Sequence, residues 1–342
     1  MKKMTGWEHG VNFGGWLSQS DHTKERYDTF IKADDFKIVK EWGVDHVRIP
    51  VDYDLVEDKE GNYKEEGFSY IQMAIDECKK NGLNMILDLH RTFGYSFDEN
   101  HGERGFFDSR EYQERFYRLW EEFAKRFASC KEMLLFELLN EVTKSAYKDK
   151  WNQISDTCIR RIRKISPDIG IIVGGYHYNN IASLPSLYPP QDDNIIYTFH
   201  FYEPIILTHQ GAAWIERMDT SFRIGADASY KEMAEATRKY VDPDFEGFPG
   251  MDQDASVSEE FFEKKFEKAV ALAEERGTAL YCGEYGVIDL AGPDVAIKWY
   301  RLISRAFEKY GIGRAAWNYK QMDFGIDEPY MEGIRDEVIK LL

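Results

Sequence analysis

The sequence predicts an α/β fold, a single closed (β/α)8 TIM barrel over residues 1–342, and three observations carry that expectation. Short apolar runs alternate with amphipathic helical patterns along the whole chain; the apolar runs number eight; and the one long interruption falls inside the alternation, not between two blocks of it.

The apolar runs cover residues 9–14, 45–49, 83–89, 133–139, 171–174, 194–199, 279–283 and 314–318, each short enough for a buried parallel strand. Between them, residues 68–81, 110–127, 148–165, 258–276 and 295–310 place apolar side chains three and four apart, as helices with one buried face do. Gly82, Gly277 and Gly311 stand just past three of these helices, where a chain commonly ends in left-handed conformation. Eight strand/helix units close most simply into a barrel. An open doubly wound sheet is the competitor, but no GxGxxG follows the first strand to support its usual ligand. Residues 205–257, rich in aromatics, Asp and Gly and including VDPDFEGFPGMDQD, read as a small insertion subdomain after strand 6.

Hydrophobic residues make up 43% of the chain and charged residues 31%, an ordinary globular composition. The formal charge of −17 repels phosphate backbones and anionic lipid surfaces, so nucleic acid and membrane partners are disfavoured and a neutral substrate is accommodated. The chain is expected to act as a monomer. No apolar run is long enough for a membrane span, and residues 1–10 lack a signal-type apolar stretch, so the expectation is a cytoplasmic protein or a secreted form whose leader has been removed. Cys78, Cys130, Cys158 and Cys282 are scattered without CxxC spacing, which argues against structural zinc; Cys78, Cys158 and Cys282 read as buried free thiols.

A (β/α)8 barrel assembles its site from residues at the C-terminal ends of its strands. Here those ends carry Arg48 (strand 2), His90 (strand 3), Asn140 and Glu141 (strand 4), His200 and Tyr202 (strand 6), Glu284 (strand 7) and Trp317 (strand 8). Any one of them alone would be an ordinary structural group. So many polar groups at one mouth are costly to bury unless they pair and act together. Glu141 and Glu284, each directly after an apolar strand (MLLFELLNE and ALYCGE), supply the two carboxyl groups that glycoside hydrolysis requires. One must hold a proton and the other must not, which calls for unlike surroundings; Arg48 near one and His200 near the other would supply them. His90, Glu141, His200 and Glu284 are also a conceivable metal set, but neither HxH nor HExxH spacing supports it, so no metal and no cofactor is expected.

The motifs GVNFGGWL (10–17), HVRIP, LDLH, FELLNE, FHFY, YCGEYGV and WNYKQMDF (317–324) resemble glycoside hydrolase family 5, the retaining barrel glycosidases that include many cellulases. The resemblance covers nearly the whole chain and implies a polysaccharide or oligosaccharide substrate. It implies that Glu141 is the general acid/base and Glu284 the nucleophile, with Arg48 and Tyr202 hydrogen-bonding Glu284 and His200 lying near Glu141. It further implies that Asn140 contacts the sugar 2-hydroxyl, that His90 binds hydroxyls of the same sugar, and that Trp317 stacks beneath it. The insertion and the WNYKQMDF segment are similar to a cellulase branch, which implies endo-acting cleavage of β-1,4-glucosidic bonds in cellulose-like or mixed-linkage glucans. Xylan, mannan and β-1,3-glucan remain alternatives within the same chemistry. A non-catalytic carbohydrate-binding barrel and a metal-dependent sugar isomerase are alternatives of another class. Two departures from the family pattern stand out. Val142 replaces the proline that often follows the acid/base, and RTFGY (91–95) replaces a second His and an Ala-Pro-Gly turn, so Arg91 and Phe93 are expected to reshape the glycone side.

Other residues have plainer readings. Glu137 and Asp88, inside strands, are expected to be structural charges. Trp16, after Gly14 and Gly15, is a candidate sugar platform, with core packing the alternative. His177 and Asn179, at the end of strand 5, are candidates for binding but not for catalysis. Trp214, with His209 and Phe201, either forms an aromatic wall or fills the insertion's core; the core is favoured for Trp214. Trp42, Trp120, Trp151 and Trp299 lie in helical patterns and read as packing residues.

Overall fold

The computed structural model describes residues 1–98 and 102–342. Eight parallel strands, β1 (His9–Asn12), β2 (His46–Asp52), β3 (Asn84–Arg91), β4 (Leu134–Glu137), β5 (Gly170–Gly174), β6 (Ile195–Phe201), β7 (Ala279–Tyr285) and β8 (Gly313–Ala316), pair in sequence order and close into a barrel through β1 and β8. Outside it pack the helices α1 (Ala33–Glu41), α2 (Glu65–Asn81), α3 (Arg110–Phe127), α4 (Lys148–Arg163), α5 (Tyr230–Tyr240), α6 (Glu259–Glu275), α7 (Pro293–Tyr310) and α8 (Arg335–Leu341). Gly82 and Gly311 end α2 and α7 with φ of 64° and 63°, a conformation that costs a residue without Cβ nothing.

The expected strand/helix rhythm fails at one place. After β5 the connection holds only a 3-10 turn, Ile181–Ser186, with Pro185 inside it, in place of a helix. Every strand but β5 ends within three residues of its expected end and not at it, and two of these differences shape the mouth. β2 runs on to Asp52 because residues 49–52 continue to pair with β3, so Arg48 lies inside the barrel and not at its rim. β4 is shorter than the apolar run, since Leu138 and Asn140 leave the ladder while their N–H groups still bond to Ile172 (3.2 Å) and Leu89 (3.1 Å) on the two neighbouring strands. That departure frees residues 140–143 to bend over the mouth.

The barrel lumen is divided. Toward the N-terminal ends of the strands, Ile86, Leu135, Ile172, Ala279, Tyr281 and Ala315 form an apolar cluster closed from below by Met4 and Trp7. Toward the C-terminal ends the lumen holds Asn12, Arg48, Asp88, Glu137 and Thr198, all buried. A second, larger core lies between the strands and the helices.

Residues 205–257 contain the short helix Ile205–Thr208 and α5, whose Ser229 and Glu232 form a capping box. The buried side chains of this segment, among them Met218, Tyr230, Met233 and Phe248, are continuous with the outer core. Lys298 on α7 ties it down through Ala226 O (2.9 Å), Asp227 (2.9 Å) and Ser256 (3.0 Å).

Candidate active site

Arg48 organises the mouth. Its Nε and Nη2 donate to the two oxygens of Glu137 (2.7 and 3.1 Å), Nη2 also reaches Asp88 (3.0 Å) and Asn140 Oδ1 (2.8 Å), and Nη1 donates to Asn12 Oδ1 and Glu284 Oε1 (both 2.9 Å). One guanidinium thus faces three carboxyl groups with all four side chains buried. Burial works against its charge, and attraction by Asp88, Glu137 and Glu284 outweighs this and keeps it ionised. Asn12 is held in turn, its Nδ2 donating to the carbonyls of Gly283, Ala315 and Ala316.

Glu284, near the end of β7, accepts from Arg48 on one oxygen and from the Tyr202 hydroxyl (2.9 Å) on the other. Burial and the neighbouring Glu284 charge hold the Tyr202 phenol well above its ordinary range, so it remains a donor. Glu141 sits differently. Burial raises its carboxyl to about 7 against the opposing charge of Arg48. Its Oε1 lies 2.6 Å from Nδ1 of His200, whose imidazole burial lowers to about 4. With the imidazole neutral and its proton on Nδ1, the ring donates to Oε1 whether or not the carboxyl is protonated, which leaves the acid proton to Oε2. The contact survives either state.

Oxygens of Glu141 and Glu284 and a ring nitrogen of His200 all lie within 4.8 Å of one another. A cation placed there would compete with Arg48 and Tyr202 for the oxygens of Glu284. On β3, Asp88 Oδ2 lies 2.6 Å from His90 Nδ1 and fixes the ring, which stacks parallel to Trp317 with centroids 6.0 Å apart and planes 6° from parallel. Burial raises Asp88 to about 7 and lowers His90 to about 4.

A pair of carboxyl groups, one protonated near neutral pH and one held by two donors, beside an aromatic plane is a site for acid-assisted displacement at a sugar. The family model for cellulase (glycosyl hydrolase family 5) matches residues 8–323. The chain belongs to this family. It is therefore a glycoside hydrolase. Cellodextrinase A of Ruminococcus flavefaciens is 44% identical over 92% of this chain and 86% of its own length. Endoglucanase C of Acetivibrio thermocellus is 36% identical over 99% of this chain and 98% of its own. Among solved structures, endoglucanase Cel5A from Thermotoga maritima superposes with a TM-score of 0.77 at 25% identity, covering 99% of this chain and 97% of that one.

In this family-5 enzyme the structure brings Arg48, His90, Asn140, Glu141, His200, Tyr202, Glu284 and Trp317 to one mouth. Trp16 is not among the groups a sugar reaches. It is fully buried, its indole N–H bonded to the Tyr27 carbonyl (2.9 Å), because the Gly14–Gly15 turn folds it inward; it is a core residue. Trp214 shows the opposite correction. It is 54% exposed, against His209 and Phe324, and does not fill a core. Asn179 is buried and bonds to the backbone carbonyl of Asn140, a strut and not a binding group, while His177 is exposed. Arg91 is turned to Asp52 (2.9 Å) and Asp54 (3.2 Å), and Phe93 packs edge-on against Tyr53 and Tyr112. Glu137 and Asp88 are the structural charges expected, though both hold groups of the mouth. Asn12 was missed; its only sequence signal is one amide inside the apolar run GVNFGG.

Proposed function

We propose that this family-5 enzyme hydrolyses internal β-1,4-glucosidic bonds of cellulose-like or mixed-linkage glucans and their soluble oligosaccharides, with retention of anomeric configuration. The observation that carries the reading is the approach of Glu141 and Glu284 oxygens to within 4.8 Å. Retaining sites hold their carboxyl groups about 5 Å apart, whereas inverting sites leave about 6.5–9.5 Å for a water. Glu284 attacks the anomeric carbon while the bond to the leaving oxygen breaks and Glu141 gives that oxygen its proton. Glu141, now ionised, takes a proton from a water whose oxygen attacks the same carbon and releases Glu284. Asn140, its Oδ1 committed to Arg48, keeps its amide hydrogens for the 2-hydroxyl; His90 and Trp317 hold the sugar ring.

The glucan assignment draws on the relatives, one a cellodextrinase and one an endoglucanase by name. Product sizes from cellulose, mixed-linkage glucan, xylan, mannan and cello-oligosaccharides test it; release of short products from glucans alone is expected, and comparable rates on mannan or xylan would overturn it. For the chemistry, Glu284→Gln and Glu141→Gln should each lower turnover about 10³-fold or more while oligosaccharide binding survives. Full activity in either would refute the assignment. Azide should restore turnover to Glu284→Gly with an inverted glycosyl azide; a retained product would show that another residue is the nucleophile. kcat/KM should fall as pH rises through about 7, where Glu141 loses its proton; a profile flat to pH 9 would contradict the role of Glu141.

A further inference from the structure

The segment that carries Glu141 is neither strand nor helix, and its shape is set from outside. Residues 138–144 lie beyond the β4 ladder, and Val142, unlike a proline, leaves the backbone torsion φ free. Three consecutive carbonyls of this segment are nevertheless each held by a different group. Asn140 O accepts from Asn179 Nδ2, Glu141 O from the Tyr95 hydroxyl (2.6 Å), and Val142 O from the Tyr178 N–H (3.1 Å).

Tyr95 does most. Its oxygen also accepts the Thr143 N–H (2.9 Å), so a single phenol bridges the peptides on both sides of Val142. A hydroxyl that accepts one bond and donates another is polarised in the direction that strengthens both. The ring is 6% exposed and wedged against Phe106, Phe107 and Tyr147. A tight turn aims it: Thr92 and Tyr95 exchange backbone bonds (3.2 and 2.9 Å) around Gly94, whose φ of 80° and crowding by the Tyr112 ring leave no room for a Cβ. The two departures noted in the sequence, RTFGY and Val142, therefore meet at one hydroxyl.

We propose that Tyr95 is a positioning residue for the reaction, clamping the backbone on both sides of Val142 so that Glu141 presents its proton to the leaving oxygen. The inference rests on Glu141 being the proton donor, and the test separates the two. kcat/KM is measured on a cello-oligosaccharide, whose leaving sugar needs a proton, and on 2,4-dinitrophenyl β-cellobioside, whose leaving group does not. Glu141→Gln is the control and should lose activity on the first substrate far more than on the second; if it does not, the reading of Glu141 fails. Tyr95→Phe should then lose about tenfold on the oligosaccharide and less than twofold on the aryl glycoside, with the alkaline limb of its pH profile displaced. Equal losses on both substrates, or no loss on either, would overturn the proposal while leaving Glu141 intact. Val142→Pro supplies a second variant. Among the described residues the Val142 N–H meets no acceptor, so proline removes no bond while fixing φ. Added to Tyr95→Phe, it should recover at least threefold of the oligosaccharide activity. Additive losses in the double variant would show that the clamp does not act through the rigidity of this segment.

Discussion

The two halves of the barrel lumen solve opposite problems. The lower half is filled by Ile86, Leu135, Ile172 and Ala315 under Trp7, with one polar contact at its edge, between the Tyr281 hydroxyl and His46 Nε2 (2.7 Å). The upper half buries Arg48 among Asp88, Glu137 and Glu284, with Glu141 close by, and ion pairs and hydrogen bonds hold its charged groups. Burial is common to both; what differs is what burial does. Below, it removes hydrocarbon from water and stabilises the fold. Above, it raises Glu141 and Asp88 and lowers His90 and His200, which costs stability and creates a proton donor.

The largest effect should come from taking the cation out of the upper half. Arg48→Met leaves three buried carboxyl groups without their partner and should destabilise the protein by at least about 4 kcal/mol, read by urea unfolding. Native stability in this variant would mean the charges are not interdependent. In the lower half, Ile172→Ala should cost about 2–4 kcal/mol as a cavity while leaving the pH profile of kcat/KM unmoved; a displaced profile would show that the halves are coupled. Smallest is Glu141→Gln. Because the folded carboxyl stands at about 7, above its ordinary 4.5, the wild-type enzyme has its full stability below pH 4.5 and loses part of it as pH rises through 7. The variant escapes that loss, so it should match the wild type in acid and exceed it by up to about 3 kcal/mol above pH 7. A difference independent of pH would contradict the burial argument.

The same division decides what the sequence makes legible. Strands appear as apolar runs because both of their faces are covered, and each of the eight predicted runs contains most of an observed strand. Where a boundary was misjudged, composition and geometry part company. Leu138 and Leu139 are as apolar and buried as their neighbours, yet the chain has already left the ladder to carry Glu141. The charged residues of the mouth were legible because polar groups after apolar runs are conspicuous. Their supports were not. Tyr95 lies 46 residues from Glu141 and acts on a backbone atom, so no local pattern joins them. Trp16 and Trp214 exchanged places because a tryptophan's composition is silent about which way its turn folds.

The three carbonyls at 140, 141 and 142 are gripped by side chain and backbone from two other loops, at residue 95 and at residues 178 and 179. These loops are separate in the chain but form one mechanical part. Recombination between relatives that exchanged only the stretch around Glu141 would bring in a segment whose grips were shaped for other partners. Homologues should therefore trade the three loops together, and chimeras built by moving all three at once should keep turnover that single-loop chimeras lose.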